Sequence, residues 1–317
     1  MSAAKVLILM TSPLDKIVHA LRVVEAIKRQ HPDLEVTWVV RRFYEPLVGA
    51  FDFVDRTIVF RRSEAITSFA GLVREIRQER YDFVLDFEGY ARTGAMCFFA
   101  KGQRKIGLRS AREGASICYG EVVSKASEDR RHLLERFQDF GSVFGLKPVV
   151  DDRLPLPRGT GVPAEVGSLL ESGSTVVCLF PGRFKAQRSW GRMLELASKL
   201  VSERQDVQVL ILGVVPYVFE EPLPRRVHDF QERYSWSELC SIVAESKAVV
   251  ANDNGPAQLA GALGVPNLTL YSFVSPSVRG AYPLEDPANA GVRAPQGEVA
   301  LLDFDEVYAE VEKLLAL

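Results

Sequence analysis

One pattern constrains this chain more than any other, and it runs twice. Short apolar, β-branched runs alternate with longer segments whose apolar residues recur at helical spacing. In the first series "KVLILM" (5–10), "EVTWVV" (35–40), "DRTIVF" (55–60), "YDFVLDF" (81–87) and "RKIGL" (104–108) read as strands. "DKIVHALRVVEAIKRQ" (15–30), "ITSFAGLVREIRQER" (66–80) and "RRHLLERFQDFGSVFGL" (130–146) read as helices. A break follows: "KPVVDDRLPLPRGTGVP" (147–163) is rich in Pro, Gly and charge, has no period, and reads as a linker. The alternation then restarts, with strands at 174–180, 207–213, 248–253 and 266–272. Helices are expected at 190–204, opened by Trp190, at 237–247, at 255–264 and at 303–317, the last with Asp303 as N-cap.

Two series of this kind predict an α/β chain of two doubly wound domains, residues 1–157 and 158–317. The last helix is a candidate to pack back on the N-terminal domain. Ligands of such sheets bind at the carboxyl ends of the strands, and with two domains in the cleft between them. A length of 317 residues suits two cores. No apolar run approaches the roughly 20 residues that span a bilayer, and "MSAAKVLILMTSP" reads as a first strand rather than a signal peptide. A cytoplasmic location is expected. Cys97, Cys118, Cys178 and Cys240 are scattered without a CxxC pair, which points to free buried thiols rather than disulfides or a zinc site.

Charge is unevenly spread. Residues 1–157 hold 25 Lys+Arg against 21 Asp+Glu, and residues 158–317 hold 14 against 20. A basic front half suits an anionic partner, although an accidental split of surface charge gives the same numbers. The imbalance is too small for a dedicated nucleic-acid binder.

Four stretches carry candidate chemistry. In "LFPGRFKAQRSWG" (179–191) a strand runs into Gly182, where backbone can approach a ligand, and then into Arg183, Lys185 and Arg188. This is either a cradle for an anion such as a diphosphate or a basic surface loop. In "AVVANDNGPAQLAGALGVPNLTLYSFVSP" (248–276) Asp253 ends a strand, Gly255 opens a helix of small residues, and the first turn offers N–H groups to a phosphate. The alternative is a packing turn with Asp253 as N-cap. In "TSPLDKIVHALR" (11–22) Ser12, Asp15, Lys16 and His19 follow the first strand. Asp15 is either a general base for a sugar hydroxyl or the N-cap of a helix starting at Lys16. His19 fits a packed helix position better than a catalyst. In "LDFEGYARTGAMCFFAKGQRKIGLRSAREG" (85–114) Asp86 and Glu88 end a strand, and Arg92, Arg109 and Arg112 lie on the loops that follow, as anion ligands or as ordinary surface arginines.

Taken in order, "KVLILMTSPLDKIVHALRVVEAIK", "YDFVLDFEGYARTG", "RKIGLRSARE", "FPGRFKAQRSW", "ANDNGPAQLAGALGVPNLTLYS" and "SPSVRGAYP" resemble the heptosyltransferases of lipopolysaccharide core synthesis, glycosyltransferase family 9. The resemblance implies a GT-B fold of two Rossmann-like domains and metal-independent transfer with inversion, with no cofactor beyond the nucleotide-sugar substrate. It implies ADP-heptose on the C-terminal domain and an anionic Kdo–lipid A acceptor on the N-terminal domain, at the inner face of the cytoplasmic membrane. On this reading Gly182, Arg183 and Arg188 would hold the diphosphate, and Asp253, Asn254, Gly255 and Gln258 would lie near the donor. Glu220 or Glu221 would hold the ribose, and Ser12, Glu88, Arg92, Arg109 and Arg112 would face the acceptor.

The family's first loop reads roughly Ser-x-x-Gly-Asp-x-x-His. Aligned through Ser12 and His19, Asp15 falls on the Gly and Lys16 on the Asp that is the presumed base. Arg188 stands for a lysine, and Gln258 for a histidine. A protonated ammonium cannot accept a proton. The base is therefore Asp15, one residue away, with Lys16 steering an anion; or it is Glu88 or Asp86; or the protein binds without transfer. Another nucleotide sugar as donor also fits the pattern.

Overall fold

The computed structural model describes residues 3–61, 66–123, 131–146, 153–182, 189–219, 222–253 and 255–317. Chain contacts divide it into two units, Met1–Leu154 and Pro155–Leu317.

The first unit runs β1 (Lys5–Leu9), α1 (Leu14–Gln30), β2 (Glu35–Arg41), α2 (Glu45–Val48), β3 (Arg56–Phe60), α3 (Ile66–Ile76), β4 (Tyr81–Asp86), α4 (Ala91–Phe99), β5 (Gly102–Leu108), β6 (Glu121–Val123) and α5 (Leu133–Gln138). Its strands lie in the order β3-β2-β1-β4-β5-β6, with every neighbouring pair parallel. Both faces of a parallel sheet are covered, so its inner strands read as continuous apolar runs. Leu7, Leu9, Val39, Ile58 and Val84 are fully buried on one face of the sheet, together with Met96 and Cys97 of α4.

The second unit runs α6 (Ala164–Glu171), β7 (Thr175–Phe180), α7 (Met193–Glu203), β8 (Val207–Ile211), β9 (Val227–Asp229), α8 (Trp236–Ala244), β10 (Ala248–Asn252), α9 (Gly255–Leu263), β11 (Asn267–Tyr271), α10 (Pro276–Arg279), β12 (Asn289–Arg293) and α11 (Phe304–Ala316). Its order is β12-β11-β10-β7-β8-β9, again parallel throughout. Counted within each unit, both sheets have the order 3-2-1-4-5-6. Each therefore reverses direction once, between β1 and β4 and between β7 and β10. The two loops leaving a sheet at that point splay to opposite faces, which opens a crevice at the carboxyl edge.

Several elements differ from their sequence reading. Residues 91–99 form a helix, so Arg92 stands in the first turn of α4 and not on a loop. The expected helix at 130–146 is α5 followed by a 3-10 turn, Asp139–Phe144, that Gly145 closes at φ 70°. Trp190 does not open a helix, because α7 begins at Met193. The indole is instead a buried anchor, donating to Leu302 O at 3.2 Å and stacking on Phe304. That contact holds the start of α11, which packs with Val307, Val311 and Leu314 into the second unit's core. Asp303 caps α11 as expected, accepting from Glu306 N at 3.0 Å.

Candidate functional site

The reversal point of the first sheet joins the loops after β1 and β4. Glu88, two residues beyond β4, points its carboxylate across to the other loop. Its Oε2 accepts from Thr11 N and from Thr11 Oγ1, both at 2.7 Å, and its Oε1 accepts from Arg92 Nη2 at 2.5 Å. The Glu88 side chain is 1% exposed. A buried carboxylate is tolerable only when its lone pairs meet donors, and here three donors converge on it. Thr11, which the sequence reading did not single out, is thus the residue that ties the two loops. Its only signal was a hydroxyl directly after the first strand.

Asp86 is fully buried at the end of β4. It accepts from Glu88 N and Gly89 N, both at 3.0 Å, and from Tyr119 Oη at 2.7 Å. Burial pushes its carboxyl up to about 6 against the opposing help of these donors. Gly89 turns the chain in the left-handed region, φ 73°, and a Cβ there would stand 3.2 Å from Ala111 Cα. The loop after β5 therefore packs directly against this turn, with Arg112 N donating to Gly89 O at 2.8 Å and Ala91 N donating to Glu113 at 3.2 Å. Three loops, after β1, β4 and β5, are drawn to one edge. They bring Ser12, Arg92, Arg109 and Arg112 to that edge, with Ser12 buried and Arg109 and Arg112 exposed.

Asp15 and Lys16 stand half-buried in the first turn of α1. The cap reading for Asp15 is corrected by the helix start. Helix α1 begins at Leu14, with Pro13 in the cap position and no side-chain cap. Proline has no N–H and a preset φ, which suits a helix entrance. A cation in a first turn opposes the helix dipole by about 0.3–1 kcal/mol. Lys16 finds a partial offset across the reversal point, its Nζ 5.2 Å from the centre of the Tyr90 ring. The lysine thus leans toward the β4–α4 loop, where Glu88 and Arg92 already meet.

His19 is a packed histidine, as its spacing suggested. It lies 5.2 Å from His132, edge to face, and neither ring nitrogen has a hydrogen-bond partner among the described residues. Burial, with His132 and Arg22 nearby, holds it well below the usual histidine range, so it is neutral near pH 7. Cys178 and Cys240 are equally unsuited to chemistry: burial pushes their thiols up to about 12.

The second sheet repeats the arrangement. Asn252, at the end of β10, donates through Nδ2 to Pro181 O after β7 and accepts from Trp190 N at 3.3 Å. Gly182 follows at φ 73°, a conformation open to glycine. Asp253 N donates to Leu270 O at 3.0 Å, and Ser272 Oγ donates to Asp253 Oδ2 at 3.2 Å, so Asp253 lies between the ends of β10 and β11. Helix α9 starts at Gly255 on this edge, with its first-turn N–H groups there. Gln258, 2% exposed, donates to Arg279 O at 3.0 Å, while its Oε1 has no partner among the described residues. Gly182, Asp253, Gly255 and Gln258 are thus gathered at one edge. Arg183, Arg188, Asn254, Glu220 and Glu221 lie outside the described residues.

No family model matches the chain. Full-length sequence similarity does. The lipopolysaccharide core heptosyltransferase OpsX of Haemophilus influenzae is 19% identical, over 85% of this chain and 79% of its own. Lipopolysaccharide heptosyltransferase 1 of Salmonella typhimurium is 23% identical, over 97% of this chain and 99% of its own. The chain is a distant full-length relative of the family 9 glycosyltransferases. Its fold is theirs as well. The E. coli heptosyltransferase WaaC with ADP superposes with a TM-score of 0.75 at 20% identity, covering 98% of this chain and 99% of that one. A family 9 glycosyltransferase from Veillonella parvula gives 0.81 at 14% identity, covering 100% and 98%. The architecture is therefore GT-B, with both Rossmann-like units present. At the two positions that the sequence reading set against the family pattern, Lys16 leans on Tyr90 and Gln258 is engaged with α10.

Proposed function

We propose that this protein is an inverting, metal-independent glycosyltransferase that moves heptose from ADP-heptose to a Kdo–lipid A type acceptor at the cytoplasmic face of the membrane. The observation that carries this is similarity along the whole length to lipopolysaccharide heptosyltransferases, both halves included. A solved relative in complex with ADP-2-deoxy-2-fluoro heptose, covering 98% of this chain, supports the donor. In this reading the first unit, Met1–Leu154, takes the acceptor and the second, Pro155–Leu317, takes the nucleotide sugar.

Asp15 is the base. It removes the proton of the acceptor hydroxyl, the oxygen attacks the anomeric carbon, and the bond to the diphosphate breaks with ADP leaving. Gly182, Arg183 and Arg188 with the first turn of α9 neutralise the leaving group, Glu220 or Glu221 holds the ribose, and Asp253, Asn254 and Gln258 border the donor. Arg92, Arg109, Arg112 and Ser12 receive the acceptor's anionic groups, and Lys16 steers one of them. Glu88 is the weaker candidate for the base because Thr11 and Arg92 already occupy its oxygens. Lys16 in the position of the family's base also supports a second reading, a binder without turnover.

The test is turnover of ADP-heptose with Kdo–lipid A by the wild type, Asp15→Asn and Lys16→Ala, with and without a chelator. Product from the wild type, at least a hundredfold less from Asp15→Asn, and no effect of the chelator are expected. Donor binding without product supports the second reading. Full activity of Asp15→Asn overturns the assignment of the base.

A further inference from the structure

The first unit carries one apolar face that its fold leaves uncovered. Phe98 is 61% exposed, Phe99 41%, Ile117 87% and Val122 46%. Single exposed apolar residues are normal, but four that share a face are not. They share it for reasons of packing. Phe98 and Phe99 end α4 with their rings 5.2 Å apart. The 3-10 turn Ala115–Cys118 lies along α4, close enough that a Cβ on Gly94 would meet Ala115 Cα at 2.9 Å, with Cys97 Sγ 3.8 Å from Cys118 O. Ile117 rides on that turn. Val122 pairs with Gly107 in parallel register, and paired residues of a parallel ladder face the same side. That side is the one Tyr119 covers at Gly107, and Lys105 on the same side reaches Phe98.

The rim of this face is cationic. Lys105 Nζ lies 5.8 Å from the Phe98 ring centre and donates to Phe98 O at 2.6 Å. Arg77 donates to Phe99 O at 2.8 Å. Lys101 and Arg80 are exposed nearby in the chain, before β5 and β4. The acidic Glu121 at the same edge is neutralised by Arg104 at 2.7 Å. Capping the last carbonyls of α4 accounts for Lys105 and Arg77. It does not account for two phenyl rings held in water beside them.

We propose that this face docks on the surface of an anionic lipid bilayer, with Phe98, Phe99 and Ile117 entering the headgroup layer and Lys101, Lys105 and Arg77 meeting lipid phosphates. Aromatic and aliphatic tips ringed by Lys and Arg are the composition that such an interface selects. A second copy of the chain fits poorly, since a two-fold contact would set these cations against themselves. Docking here leaves the reaction edge open. Helix α4 rises about 12 Å from Ala91, beside Glu88, to Phe99 at its far end. Among the described residues no helix is long and apolar enough to cross a membrane, so attachment of this kind is peripheral.

This inference does not depend on the transfer reading, and its test contains neither nucleotide sugar nor sugar acceptor. The full chain is floated with vesicles of phosphatidylglycerol and phosphatidylethanolamine, and with vesicles of phosphatidylcholine alone. Binding to the anionic vesicles only, weakening as salt is raised, is expected. Phe98→Ser with Phe99→Ser should lower the partition by about tenfold, as should Lys101→Glu with Lys105→Glu. Thermal midpoints monitor folding, and Ile117→Ser, at the most exposed of these positions, serves if the double phenylalanine variant is unstable. No binding to anionic vesicles, or equal binding by all variants, overturns the proposal. So does self-association in sedimentation that the phenylalanine variant abolishes without any vesicle binding by the wild type.

Discussion

Glu88 is where the structure makes its sharpest quantitative claim. Consider Glu88→Gln, which keeps the shape and removes the charge. Three donors surround the carboxylate: Thr11 N, Thr11 Oγ1 and Arg92 Nη2. An amide oxygen can take the place of Oε2 and keep both Thr11 bonds. The amide NH2 then faces the guanidinium, a donor against a donor. A hydrogen bond to a charged group contributes about 1.5–3 kcal/mol. The Arg92 side chain is 28% exposed, so water recovers part of that, and about 2 kcal/mol of local stability should be lost. Glu88→Ala also strands the buried Thr11 donors and should cost about 3–5 kcal/mol. Hydrogen exchange over the β1–α1 and β4–α4 segments reads this directly. About 2 kcal/mol corresponds to roughly 30-fold faster exchange wherever local opening limits it. Glu88→Gln should retain turnover with a raised KM and an unshifted pH profile, since it positions the loops and takes no proton. Unchanged exchange in these segments would refute the tie that Glu88 makes between the two loops. Loss of kcat with exchange unchanged would make Glu88 the base.

Two further outcomes follow from packing and burial. His19 is held neutral when folded, so above its ordinary value of 6.5 it costs nothing, and below it the unfolded chain takes up a proton that the folded chain refuses. Stability should fall with acid by up to about 1.4 kcal/mol per pH unit, a slope that His19→Gln removes. Asp86 works the other way between about 6 and 3.8, because its folded form binds the proton first, so urea titrations across pH 6.5 to 4 should compare wild type, His19→Gln and Asp86→Asn. Gly94→Ala would normally strengthen a helix by about 1 kcal/mol. Here the new methyl meets the Ala115 backbone at 2.9 Å, so the sign should reverse to about 1–3 kcal/mol of destabilisation in thermal unfolding.

What could be read before folding, and what could not, divides along sequence distance. Inner parallel strands are buried on both faces, so β1, β7 and β10 appear as near-continuous apolar runs, β2 and β11 as apolar runs broken by Thr37 and Thr269, and their helices show the complementary period. The edge strands β6 and β9 have three residues each and little apolar signal, and they passed unread. Helix α4 was missed for a local reason. Its cap is Tyr90, supported by Thr93 Oγ1, rather than one of the small polar residues that usually mark a helix start.

The candidate site follows the same division. That Asp86, Glu88, Asp253 and Gly182 stand at or just beyond strand ends was legible, and so was their relevance once a doubly wound sheet was inferred. What Glu88 does was not, since its partner Thr11 is 77 residues away. A carboxylate at a strand end reads equally as a base or as a tie. Only the donors it meets decide, and they are delivered by strand order, not by neighbours in sequence. The same logic bears on Lys16. A lysine in a first turn looks local, yet the loop opposite answers it with an aromatic face at Tyr90 and with an arginine whose charge Glu88 already meets. An unbalanced cation at that point would repel Arg92 and open the loops. With Glu88 compensating Arg92, we propose Lys16 as one cation that meets an incoming anion, beside Arg109 and Arg112 of the loop after β5. Lys16→Ala should therefore raise the KM for a phosphorylated acceptor more than it lowers kcat, whereas a purely structural lysine would leave both unchanged after refolding.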